Sequence, residues 1–384
     1  MRVCVIYDCL FPYTIGGAER WYRNLSERLA TAGHEVTYLT MRQWPRGEEP
    51  AVNGVNVVAV APRMELYGHG RRRIAPPLAF GAGVLSHLLR QGARYDVVHT
   101  ASFPYFSLLA AGSARRAHRF RLFVDWFEVW TREYWREYLG HAGRLGWLVQ
   151  RRCVRLPQHA FCFSHLHERR LREEGLRGQV QALEGIFTGS GRTATPEPAE
   201  PLVVFAGRHI AEKQVLAMPA AVAQARERLP NLRAEIYGDG PERPKLLDEI
   251  RRLGLEGAVE APGFVSEDRV ERALRNALAL VLPSKREGYG LIVVEAASLG
   301  TPSIVVAGAD NAATELVEDG VNGFVAASAG PEDLAGAIAR VHEAGEALRR
   351  TTAEWFRRNA RRLSLESSLE TVLRAYANDA PSRR

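Results

Sequence analysis

Short apolar runs alternate along the chain with longer stretches in which apolar residues recur at helical spacing. In the first half the runs fall at 3–7, 36–39, 55–60, 97–99, 122–124 and 160–163, rich in Val, Leu and Phe. Runs of that length and composition read as buried strands, whereas 18–31 and 77–90 between them carry the helical period. Strands alternating with helices predict parallel pairing through crossovers, and so a doubly wound α/β sheet. Residues 188–201 break the pattern, being small, polar and Pro-rich. The alternation then restarts, with strands expected at 202–206, 233–237, 259–261, 279–282 and 303–306 and helices at 218–228, 243–253, 270–275 and 292–299. Residues 343–377 are helical in pattern, with Trp355, Phe356, Leu363, Leu369, Val372, Leu373 and Tyr376 available for packing.

The expected organisation is therefore a Rossmann-like domain over 1–187, a linker over 188–201 and a second Rossmann-like domain over 202–345. A helical segment over 346–384 is expected to pack back toward the first domain. Two such domains on one linker would face a central cleft, and open α/β sheets bind ligands beyond the carboxyl ends of their strands. The length agrees: 384 residues at about 150 per domain is too much chain for one ordinary core.

Composition narrows the class. The 46% hydrophobic and 25% charged fractions exclude a disordered or fibrous chain. Cys4, Cys9, Cys153 and Cys162 are scattered, with no CxxC pair, so a disulfide framework or zinc site is not expected. The first apolar run ends at Asp8, too short for a signal peptide, and no stretch approaches about 18 uninterrupted apolar residues. A cytoplasmic location is the expectation.

The net charge of +7 divides into +10 over 1–190 and −3 over 191–384, with basic clusters at Arg71–Arg73, Arg115/Arg116/Arg119 and Arg151/Arg152/Arg155. Such a half either steers the chain to the anionic inner face of a membrane or is a solvated Arg-rich surface. Trp126, Trp130, Tyr134, Trp135, Tyr138 and Trp147 crowd 126–147, to be read either as an acceptor or membrane-interface surface or as the core face of an amphipathic helix. No nucleic-acid-binding signature accompanies the positive charge, so no nucleic-acid partner is expected.

Chemistry concentrates at the expected strand ends. Pro283-Ser-Lys-Arg-Glu287-Gly288-Tyr289-Gly290-Leu291-Ile-Val-Val-Glu295-Ala follows one strand and opens a helix. Gly288 and Gly290 permit close backbone approach, and N–H groups at Gly290 and Leu291 would point from a helix N-terminus, which favours an anion. Glu287 and Glu295 are placed to accept from hydroxyls at two points along an extended ligand. Phe205-Ala-Gly-Arg208-His-Ile-Ala-Glu-Lys213 delivers two cations from another strand end, suited to a diphosphate. Ile15-Gly16-Gly17-Ala-Glu19-Arg20 makes a glycine turn before the first helix, and without GxGxxG it disfavours dinucleotide binding. Each segment alone could be an ordinary turn.

Together, residues 16–20, 205–213, 237–241, 261–265, 283–296, 300–302 and 315–324 resemble the family 4 retaining glycosyltransferases, glycosyl transferases group 1, of GT-B fold. The most specific element is the E-x7-E pair Glu287 and Glu295. The resemblance implies transfer of a sugar, hexosyltransferase-type, from a UDP- or GDP-sugar to a hydroxyl acceptor with retained anomeric configuration. It implies that the first domain binds acceptor and the second donor. Glu295 would hold the ribose hydroxyls, Glu287 would lie near the donor sugar, and Arg208 and Lys213 would neutralise the diphosphate. Gly16 and Gly17 would face the phosphates, the backbone at Phe264 and Val265 would meet the base, and Gly288 to Leu291 would complete the donor site. No metal or other cofactor is implied, in keeping with the lack of a DxD-type motif.

The chain departs from that pattern at three positions. Asp125 stands where many relatives have a His; Asp125 or Glu128 is then the candidate acceptor-side base, catalytic or hydroxyl-binding, with a structural role for Asp125 as the equal alternative. Gln214 stands where a Gly usually follows the motif lysine, and Glu184-Gly-Ile-Phe187 replaces a usual NG-I/V-D segment. The alternatives kept open are a catalytically silent nucleotide-sugar-binding partner and a GT-B nucleotide-sugar epimerase or hydrolase.

Overall fold

A computed structural model describes residues 1–14, 16–45, 47–68, 71–189 and 198–378. The chain divides into two compact units, Met1–Leu183 with Ser368–Arg384, and Glu184–Ser367. Most of the expected linker, residues 190–197, lies outside the described residues, and strand structure has already begun at Glu200.

The first unit contains β1 (Arg2–Ile6), α1 (Gly17–Thr31), β2 (Glu35–Met41), β3 (Val55–Ala61), the short hairpin β4 (Tyr67–Gly68) and β5 (Arg71–Arg72), and α2 (Ala75–Gln91). There follow β6 (Val97–Ala101), α3 (Tyr105–Ala114), β7 (Arg121–Trp126), α4 (Arg132–Leu139), α5 (Gly143–Val154), β8 (Gln158–Cys162), α6 (His165–Glu173) and β9 (Gly178–Ala182). Seven of the strands form one parallel sheet in the order β3-β2-β1-β6-β7-β8-β9, with Val5 opposite both Tyr38 and His99. Strand order reverses between β1 and β6, so the loops leaving those two strands diverge and open a crevice. The strands are covered on both faces, as parallel sheets require: Val3 to Ile6 and Phe123 are fully buried.

The aromatic-rich segment 126–147 is partly core, with Trp130, Tyr138 and Trp147 half-buried. Trp126, Trp135 and Tyr134 are buried, and Gln150 holds the segment together from α5. Its side-chain oxygen accepts from Tyr105 Oη (3.0 Å), Trp130 N (3.0 Å) and Trp135 Nε1 (3.2 Å), and its amide donates to Trp130 O (2.8 Å). Leu145 and Leu148 are the exposed apolar side chains of this segment's second helix, beside Arg144 and Arg152.

The second unit runs through β10 (Glu200–Ala206), α7 (Ala217–Ala225), β11 (Arg233–Tyr237), α8 (Arg243–Arg252), β12 (Val259–Gly263), α9 (Glu267–Asn276) and β13 (Ala277–Leu282). It continues with β14 (Arg286–Glu287), α10 (Leu291–Ser298), β15 (Ser303–Val306), β16 (Asp310–Asn311), β17 (Gly323–Ala326) and α11 (Pro331–Leu363). Its parallel sheet has the order β12-β11-β10-β13-β15-β17, with the reversal between β10 and β13. Helix α11 begins earlier than the pattern 343–377 suggested and contains a break at Gly345 (φ 54°). Its end is tied down by Phe187, whose N–H donates to Leu363 O (3.1 Å) while its carbonyl accepts from Leu365 N (2.8 Å). The last helix, α12 (Leu365–Asn378), contributes to the first unit from Ser368 onward, burying Val372 and Tyr376 there.

Gln150 yields a stability test. Gln150→Ala leaves the Tyr105, Trp130 and Trp135 donors without their buried acceptor, and should cost about 3 kcal/mol in urea denaturation. A loss below about 0.5 kcal/mol would show that the network does not hold the aromatic segment.

Candidate donor site

In a sheet whose order reverses between two strands, the loops after those strands are thrown to opposite faces and leave a crevice between them. In the second unit these are the loops after β10 and β13, the two that carry the charged motifs. Lys213, from the first loop, makes an ion pair with Glu287 Oε1 from the second, although 74 residues separate them. Ser284 Oγ donates to the same oxygen at 3.0 Å, and Lys285 N donates to Glu212 O at 2.9 Å, so backbone and side chains both join the loops. Asn311 supports the second loop from below: its amide donates to Ser284 O (3.1 Å) and Val306 O (2.8 Å), and its Oδ1 accepts from Ala313 N (3.1 Å).

The loops after the other strands are laced to this pair. Gly207 N donates to Tyr237 O (3.1 Å), His209 N to Asp239 O (2.8 Å) and Gly238 N to Gly263 O (2.9 Å). Gly238 sits at φ +117°, and a Cβ there would lie 1.9 Å from Gly207 O, so only glycine lets these turns approach. His209 is buried with neither ring nitrogen hydrogen-bonded, and burial lowers its pKa, keeping the imidazole neutral. The sequence motif gave no sign of this histidine's burial.

Helix α10 starts at Gly290 (φ +100°), which supplies no side-chain cap and whose Cβ would come within 2.7 Å of Ala313 Cβ. Val293 N donates to Gly290 O at 2.9 Å, so the N–H groups at Leu291 and Ile292 are the ones left to another acceptor, with the positive end of the helix dipole behind them. Glu295 lies one turn on, half-buried. Gly288 is half-buried, and Tyr289 turns inward: its Oη donates to Glu184 O at 2.6 Å, and burial pushes the phenol above its ordinary pKa. Arg208 is exposed and has no carboxylate partner among the described residues. Phe264 is 78% exposed after β12, and Val265 follows it half-buried.

In the first unit Gly16 and Gly17 sit at the start of α1, with Ile15 outside the described residues. A Cβ on Gly17 would meet nothing within 4 Å, so packing does not demand this glycine. Asp125, expected beside an acceptor, is fully buried instead. Its Oδ2 accepts from Trp21 Nε1 of α1 at 2.7 Å, and its Oδ1 lies 2.9 Å from His99 Nε2, off the line of a hydrogen bond. His99 Nδ1 in turn lies 2.6 Å from Tyr376 Oη, and the Tyr376 carbonyl accepts from Arg121 Nη1 at 2.5 Å. The carboxylate thus anchors α1 from inside. Burial and the Asp125 charge together raise the pKa of Tyr22 and of Tyr376 well above the ordinary phenol range.

Residues 192–362 match the family of glycosyl transferases group 1, and residues 16–183 match the glycosyl transferase 4-like domain. The chain belongs to the group 1 glycosyltransferases. Among its relatives, this glycosyltransferase is 28% identical over 374 residues to a glycogen synthase of Mycobacterium tuberculosis, across 89% of this chain and 85% of that one. It is 35% identical over 181 residues to a D-inositol 3-phosphate glycosyltransferase of Streptomyces griseus, across 45% and 38% of the two chains. Its fold matches the sucrose-phosphate synthase of Thermosynechococcus elongatus with a TM-score of 0.80 and 18% identity over 98% of both chains. Anabaena Alr3699/HepE, solved in complex with UDP, matches with a TM-score of 0.76 and 17% identity over 98% of this chain and 100% of that one. The glycosyltransferase therefore has the GT-B architecture of two Rossmann-like domains.

One motif departure acquires a physical reason. Gln214 is in the left-handed region (φ +47°, ψ +37°), where glycine is unstrained. Gln214→Gly should leave stability within about 0.5 kcal/mol, strain relief offsetting the added freedom of the unfolded chain, whereas Gln214→Val should lose more than about 1 kcal/mol. Urea midpoints of the two variants check this; equal losses would show that the side chain, not the backbone, matters at 214.

Proposed function

We propose that this glycosyltransferase takes its sugar from a nucleoside-diphosphate sugar and passes it to a hydroxyl acceptor with retention of anomeric configuration. The observation that carries the proposal is the convergence at the β10/β13 switch point of Lys213, Glu287, exposed Arg208 and the uncapped start of α10. Its support is chemical. The leaving group of such a donor gathers negative charge as the glycosidic bond breaks, and these groups are fixed donors aimed at one place. Solved structures of the same fold with UDP bound agree with a diphosphate ligand.

In this reading Arg208 meets the diphosphate as an unengaged cation, and Lys213 meets it while held in place by Glu287. The two roles differ: the first contributes charge, the second contributes charge at a set position. The α10 N–H groups take phosphate oxygens, Glu295 accepts from ribose hydroxyls, and exposed Phe264 with Val265 offers an apolar surface to the base. The acceptor oxygen attacks on the face the leaving group occupies, and its proton passes to a phosphate oxygen of the departing diphosphate. The group thus needs no buried general base. Asp125 is assigned to positioning: through Trp21 it fixes α1 and the Gly16–Gly17 turn.

Arg208→Ala and Lys213→Ala should each weaken UDP binding about tenfold or more and lower kcat/KM with a UDP- or GDP-sugar by at least about a hundredfold. The check is calorimetric titration of UDP and GDP together with donor consumption, run with and without candidate acceptors. Unchanged affinity in both variants would refute the diphosphate assignment. Donor turnover that is independent of acceptor would instead identify an epimerase or hydrolase, and tight binding without turnover a silent partner.

A further inference from the structure

The starts of β7, β8 and β9 carry a concavity that the donor site does not use. A cavity of about 450 Å³ is lined there by Arg115, Arg121, Arg177, His159 and Gln179 among others. A second, of about 400 Å³, shares His159 and Gln179 and reaches α12 at Arg374. His159 and Gln179 are register partners on β8 and β9, so the two cavities form one trough across the sheet edge. Four arginines line this trough and no Asp or Glu does.

Arg115 donates to Pro157 O and Arg121 to Tyr376 O, both uncharged acceptors. Half-burial lowers the pKa of Arg115, as expected of a cation removed from water without a counter-ion. The end of α3 accounts for Arg115, which caps it. No helix end accounts for Arg177, which enters β9 and has no carboxylate partner among the described residues. His159 Nε2 and Gln181 Oε1, 3.3 Å apart, add hydrogen-bonding groups to the floor.

We propose that this trough binds a small, multiply charged phosphate-bearing molecule, held by Arg115, Arg177 and Arg374 over His159 and Gln179. Guanidinium groups match phosphate oxygens in bidentate geometry, and cavities of these sizes take ligands of metabolite size. The site is separate from the glycine turn of its own unit: every strand of this parallel sheet starts at the trough end, and the turn follows the far end of β1. Arg121 also heads the buried series through Tyr376, His99 and Asp125 to Trp21, so the ligand sits against the same internal scaffold that anchors α1. The inference does not depend on the donor reading, which concerns the other unit.

Calorimetric titration of inorganic pyrophosphate into the full-length protein tests it, using wild type, Arg177→Ala/Arg374→Ala and Arg208→Ala/Lys213→Ala. Both trough residues are exposed, so the first double variant should fold, which far-UV circular dichroism verifies. The expected result is saturable binding that survives Arg208→Ala/Lys213→Ala and weakens about tenfold or more in Arg177→Ala/Arg374→Ala. Charge reversal by Arg177→Glu should abolish it. Binding that is lost only in the Arg208/Lys213 variant, or no saturable binding in wild type, would overturn the proposal.

Discussion

The pairing of Lys213 with Glu287 is the constraint on which the second unit's chemistry depends. Each residue belongs to a loop that leaves the sheet at its point of strand reversal, and each loop carries only a short piece of regular structure. The lysine end is a single turn closed by a left-handed Gln214; the glutamate end is the two-residue pairing of β14 with β16. An ion pair of low exposure joins them, with Ser284 satisfying the same carboxylate oxygen. Removing one partner of such a pair strands the other charge, so both loops move if either changes. The pair therefore holds Lys213 in place, and Arg208, exposed on the same loop, adds charge without adding constraint.

The first unit uses a different device for the same end. Asp125 is buried under α1 and reaches it through Trp21, from a sequence distance of 104 residues. A turn that begins with two glycines has no side chains of its own to hold its place, and the following helix holds it instead. The buried series from Arg121 through Tyr376, His99 and Asp125 to Trp21 shows how much of that support comes from the chain's last helix. So enclosed, the Asp125 carboxylate orients α1 through Trp21.

The sequence made the strand cores and the charged loops legible, because both are local patterns. Val3 to Tyr7, or Leu202 to Ala206, must be buried on two faces, and a Gly-rich turn after such a run must bring backbone near a ligand. The edge strands β9 and β17 were not legible: Gly-Gln-Val-Gln-Ala and Gly-Phe-Val-Ala are short, and the first is half polar because one side is open. The polar residues that hold loops in place were equally hidden. Asn311, Gln150 and His209 acquire their roles from partners far along the chain, and no spacing rule points to them. Asp125 was conspicuous in sequence, but only its burial separates a positioning residue from one that meets substrate. Tyr289 lies between two motif glycines in sequence, and its hydroxyl turns inward to Glu184.

The donor assignment places a nucleoside diphosphate where the β10 and β13 loops meet. A crystal structure of the protein soaked with UDP or GDP tests it most directly. The predicted result places the diphosphate within hydrogen-bond reach of Arg208, Lys213 and the N–H groups at Gly290 and Leu291, with the ribose at Glu295. A nucleotide bound elsewhere, or at this place without contact to Arg208 and Lys213, would contradict it.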